Sequence, residues 1–140
     1  MINDFTTSKA LLDKLKAFTD IKGLRLAVQS FKFEPIATET YLQETFLAND
    51  TDPLGINQRS TDEQRPIYQI DIYTPKYTGK FHGLILANDL KSEFPRAQFI
   101  TNAVSQKVIV SNVNSSIGPS NDTHDRTIVS VNLVVLAANT

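Results

Sequence analysis

Leu11, Leu12, Leu15 and Phe18 recur at the spacing of one helical face, while Lys9, Asp13, Lys14 and Lys16 fall mostly off it. This spacing predicts a helix over residues 7–19, with Thr6, Thr7 or Ser8 as its cap and Gly23 as its stop. The pattern then changes to alternation. Residues 24–29, "LRLAVQ", read as a strand, and "FKF" at 31–33 continues the alternation until Pro35 interrupts it. A second run, "TYLQETFLAND", sets Tyr41, Gln43, Thr45 and Leu47 on one face and Leu42, Glu44 and Phe46 on the other.

Residues 49–64, "NDTDPLGINQRSTDEQ", offer little to bury and read as the main loop. Two readings fit a polar loop of this length: a disordered hairpin tip, or an arm that binds a partner. The next stretch, "RPIYQIDIYTPKYTGKFHGLILANDLKSEF", is the most ordered in the chain. Tyr68, Ile70 and Ile72 share one face of a half-buried strand, and Gln69 and Asp71 share the other with Ile67 and Tyr73. Pro75 and Gly79 mark a turn. A helix over residues 80–94 aligns Gly83, Leu86, Ala87, Leu90 and Phe94, and Pro95 ends it. Phe81 and Ile85 lie four apart on this helix, away from that line. They suit either a helix entry tucked under a loop or an apolar spot that meets another chain.

Further on, "AQFI" fits a short strand and "QKVIVSNV" a clearer one. Residues 114–125, "NSSIGPSNDTHD", form a second polar loop carrying Ile117. In the closing run, "RTIVSVNLVVLAA", Val129, Val131, Leu133 and Val135 share a face, and Val134 and Leu136 make the other face apolar as well. A strand apolar on both faces at its end is covered there by a helix or by a neighbouring subunit. The element order predicts an α+β fold: a mixed, mainly antiparallel sheet of about four to five strands, with its helices packed on one face.

Composition bears mainly on what the chain does not do. At 140 residues, 41% hydrophobic and 21% charged, it suits a single globular domain over 1–140 and argues against disorder. The formal net charge of -1 gives no overall pull toward nucleic acid or anionic membrane. There are no cysteines, so disulfides, thiolate nucleophiles and thiolate zinc sites are excluded. The start shows no signal-peptide pattern and no run approaches a membrane span, so a cytoplasmic home is expected. His124 lies among Asp122 and Asp125, and His82 lies on the outer face of the second helix. Both read as solvated rather than ligating. No hydrolase elbow, zinc-protease motif or glycine-rich phosphate loop occurs. No catalytic, cofactor or metal residue is therefore assigned; an enzyme is not excluded, but nothing in the sequence proposes one.

Several of these segments together carry a resemblance. "PIYQIDIYTPKYTGK" followed by "LANDLKSEF", "KVIVSN" and "VSVNLVVL", and preceded by "FKFEP" and "YLQETFL", resembles the tail terminator (tail completion) proteins of long-tailed bacteriophages. The likeness runs from Leu11 to Leu136, and one departure is Pro66-Ile67 where the family usually has a glycine before the Tyr-Gln strand. The resemblance implies a non-enzymatic structural virion protein without cofactors, assembled in the host cytoplasm, that caps the tail tube, ends elongation and offers a surface for head joining. Its implied partners are further copies of itself in a ring, typically a hexamer, the tail tube protein, and a head-completion or connector protein. DNA would pass through the lumen without specific binding, and no membrane is implied. Phe81, Ile85, Val134 and Leu136 are candidate subunit contacts on that reading, and Asp52, Leu54, Ile56, Arg59 and Ile117 are candidate partner contacts. Another neck or minor tail protein, or a small ligand-binding α+β domain, is the alternative.

Overall fold

The computed structural model describes residues 2–56, 60–100 and 106–138. Helix α1 (Asp4–Lys22) begins earlier than the apolar stripe alone indicates. Its cap is Asn3, whose side chain accepts from the Thr6 backbone N–H at 3.1 Å, and Asp4 adds negative charge to the first turn. The helix ends as the sequence predicts, with Gly23 in the left-handed region at φ 67° and Leu24 N–H returning to the Thr19 carbonyl.

Strand β1 (Arg25–Ala27) runs parallel to β2 (Tyr41–Leu47), and the predicted strand at 31–33 is irregular instead. Side chains extend this short ladder. Glu44 accepts from the Gln29 backbone N–H at 3.1 Å, and the Gln29 side chain accepts from the Phe46 N–H at 2.9 Å. The chain then forms β3 (Thr51–Pro53), β4 (Thr61–Gln64), β5 (Ile67–Pro75), helix α2 (Lys80–Glu93), β6 (Phe99–Ile100), β7 (Gln106–Gly118) and β8 (His124–Ala138).

These strands make one mixed sheet of eight, antiparallel except for the β1–β2 pair. That exceeds the four to five expected, and the added strands have a clear origin. Residues 49–64 are not simply a loop: β3 and β4 pair there, so the segment is a ribbon arm whose backbone bonds do not depend on apolar side chains. Strands β4 and β5 lie end to end along one edge of β8, on either side of Pro66, while β7 takes the other edge. The Leu133 N–H reaches the Pro66 carbonyl at 3.1 Å across the join. Likewise, Asn114–Gly118 belong to β7 and His124 opens β8, which leaves a tight connection in place of the predicted loop over 114–125.

Both helices pack on one face of the sheet. Leu11, Leu15 and Phe18 of α1 meet Ala87, Leu90 and Phe94 around the α2 end, above Leu42, Ile70, Ile72, Val129, Val131 and Val135. Lys22 and Asp89 bridge the two helices at 3.1 Å. Gly83 brings α2 close to the sheet, since a Cβ there would stand 2.5 Å from the Thr127 hydroxyl oxygen.

One polar pair lies in this core. Glu44 and Tyr68 sit on neighbouring strands facing the helices, and Glu44 Oε2 and the Tyr68 hydroxyl are buried with no hydrogen-bond partner among the described residues. Burial, and then the Glu44 carboxyl, push the Tyr68 hydroxyl well above its ordinary pKa.

Two outcomes follow. Gly to Ala in a helix interior ordinarily adds about 1 kcal/mol. Here Gly83→Ala is expected to lower the urea midpoint, and combining it with Thr127→Ala to recover most of the loss. Alkaline stability is the second. Unfolded tyrosine ionises near pH 10.0 while folded Tyr68 keeps its proton, so the unfolded state binds fewer protons above that pH. Stability is intact below pH 10 and falls as pH rises beyond it, by at most about 1.4 kcal/mol per pH unit for this one group. Urea unfolding of Tyr68→Phe is expected to show a shallower decline than the parent chain between about pH 9 and about pH 11.

Candidate functional site

The two ends of the sheet carry different features. At one end Leu47 pairs with Ile67, and the β3–β4 arm continues beyond them. Asn49 donates its side-chain amide to the Arg65 carbonyl at the arm's root, and Gln64 bonds both the Asn49 carbonyl and the Asp4 carboxylate. The start of α1 is therefore fastened to the arm. Asn3 and Thr7 also bond the Gln106 side chain at the start of β7. Asp52, Leu54 and Ile56 are exposed on the arm, with Ile56 fully so. Arg59 lies outside the described residues.

At the opposite end Pro75 pairs with His124, and the β7–β8 connection turns. Ile117 is exposed here on the last residues of β7 rather than in a loop. His124 is fully buried, which corrects the expectation of a solvated side chain. Its Nε2–H donates to the Glu39 carbonyl at 2.8 Å, which makes Nδ1 the acceptor for the Thr123 hydroxyl at 2.8 Å. Tyr41 stacks on Tyr73 with ring centres 4.7 Å apart, and His124 meets the Tyr41 edge at 5.1 Å. Burial is the main cause that raises the hydroxyls of Tyr41 and Tyr73 above their ordinary range. The cluster wedges the 31–40 segment against the sheet, with Phe33 on Tyr41 and the Arg25 guanidinium over Phe33.

The sides of the molecule also differ. Phe81 and Ile85 stand on the outer surface of α2, 67% and 60% exposed. Val134 and Leu136 are half-buried on the sheet face that no helix covers, beside Ile109 of β7. The same uncovered face holds Asp71, paired to Arg126 at 2.9 Å and to Gln69 at 3.1 Å. The two proposed pairs thus lie on different sides of the chain.

A third surface went unread in the sequence. Two hollows of about 290 and 350 Å³ share Leu12, Val28 and Phe31 and form a trough between α1 and β1. Phe5 and Phe31 stand exposed beside it, and Glu44 lines its floor. The available signal was Phe31, an aromatic in a stretch too short and too polar to bury it.

Among the described residues no group of three or more His, Cys, Asp or Glu could hold a metal. His82 is exposed on α2. Among the described residues no helix is long and apolar enough to cross a membrane.

Comparison with known proteins adds the family. No curated protein matches by sequence. Eight chains of solved structures match, and one of them superposes with a TM-score of 0.72 at 19% identity, covering 98% of this chain and 96% of its own. That likeness fixes the fold. A family model described as "Phage tail terminator protein" matches residues 6–134, from the first turn of α1 into β8. With a match of that extent, the chain belongs to the phage tail terminator family, a family of tail structural proteins.

Proposed function

We propose that this protein closes the end of a phage tail tube as a ring of identical copies, a hexamer, which stops tube growth and receives the head-completion or connector protein. The family match over residues 6–134 carries the reading. The distribution of surfaces supports it. A closed ring needs two unlike lateral patches per subunit, each meeting the other on the next copy. Ile85 and Phe81 on α2, and Val134 and Leu136 on the uncovered sheet face, are such a pair. The arm at one end of the sheet and the β7–β8 turn at the other supply contacts along the ring axis, through Asp52, Leu54 and Ile56 and through Ile117. A net charge of -1 suits a lumen that DNA crosses without adhering. Assembly takes place in the host cytoplasm, and the protein acts by shape rather than by catalysis.

Ile85→Asp tests this reading. Ring formation, followed by light scattering and by negative-stain images of capped tubes, is expected to be lost. The thermal midpoint of the monomer is expected to move little, since Ile85 is exposed and surface changes are usually worth within about 0.5 kcal/mol. Normal rings from this variant would remove α2 from the interface.

A further inference from the structure

The trough between α1 and β1 has no place in the lateral patches above, yet its composition is that of a binding surface. Its walls are apolar: Phe5, Leu12, Val28 and Phe31. Its rim is basic, with Lys9, Lys16 and Lys32. Lys9 and Lys32 hold ion pairs with Asp13 and Glu34, at 3.3 and 3.6 Å, and all four side chains are mostly exposed. Such pairs exchange readily for better ones. At the floor, Glu44 Oε2 is buried with no hydrogen-bond partner among the described residues, and its carboxyl acts on the buried Tyr68 hydroxyl. The outer edge of β1 is unpaired among the described residues, since β1 bonds only β2.

The same chain carries a surface of opposite character. The arm presents Leu54 and Ile56 to solvent beside Asp50 and Asp52, and among the described residues β3 pairs with β4 alone. An apolar, acidic projection and an apolar, basic-rimmed hollow on one chain complement each other in shape and in charge.

We propose that the trough between α1 and β1 is the seat for the arm of a second copy of this chain, with Leu54 and Ile56 entering between Phe5 and Phe31. The contact is heterologous and rests on the ring reading, whose lateral junction it reinforces. A docked arm takes Leu54 and Ile56 out of the axial contacts assigned to them above, and leaves the opposite end, with Ile117, open to other proteins.

The test uses two variants at exposed positions, Ile56→Asp in the arm and Phe31→Asp in the trough. Each alone is expected to raise the concentration for half-assembly about tenfold or more. Mixed together, they retain one intact arm and one intact trough, so heterodimers that do not grow into rings are expected. The cysteine-free chain allows a direct check with Ile56→Cys combined with Phe31→Cys. Oxidation is expected to give a ladder of cross-linked copies. A closed monomer, or no cross-link in assembled rings, overturns the arm assignment. Wild-type assembly in Phe31→Asp together with lost assembly in Ile85→Asp overturns it and leaves the ring intact. A wild-type chain that stays monomeric both in solution and on tail tubes overturns both.

Discussion

The structure depends on the need of one long strand to satisfy its backbone on both edges. Strand β8 has 15 residues and lies in the interior of the sheet. One edge is met by β7 almost along its whole length, and the other is shared by β5 and β4. A buried backbone group without a partner costs about as much as a lost hydrogen bond. The chain must therefore supply β4 opposite the last part of β8, whatever the polarity of the side chains it has there. This is why a segment composed of Thr, Asp, Glu and Gln becomes a strand, and why an arm exists.

The same requirement explains which parts of the fold were legible in the sequence. Elements with a buried apolar face announced themselves: the Leu11–Leu15–Phe18 stripe, the Tyr68–Ile70–Ile72 alternation, the Gly83–Ala87–Leu90–Phe94 line and the valines of β8. Elements without a buried apolar face did not. Thr61–Gln64 and Asn114–Gly118 contain nearly every residue type that signals a loop, and only their register against β8 makes them strands. His124 was misread for a related reason. Its neighbours in sequence are polar, but its neighbours in space are Tyr41, Tyr73 and the Glu39 carbonyl, all distant along the chain.

The assembly surfaces were legible to a different degree. Ile85 stands out because it breaks the apolar line of its own helix, a local signal. The trough does not stand out, because it joins the outer side of α1 to the irregular chain after β1, and no periodicity connects Phe5 with Phe31. Polar side chains do structural work of a similar long-range kind. Asn3, Asp4 and Thr7 at the head of α1 hold Gln106 and Gln64, so the helix start, the arm root and the start of β7 form one polar junction.

Pro66 gives the sheet a further property. It sits between β4 and β5, offers its carbonyl to Leu133 and has no N–H to give. The antiparallel partner that accepts from the Leu133 N–H would ordinarily return its own N–H to the Leu133 carbonyl, so the proline leaves that one bond of the ladder unmade. The residue therefore works as a seam: it divides one continuous edge partner of β8 into β4 and β5, and the arm grows from the β4 side of that break.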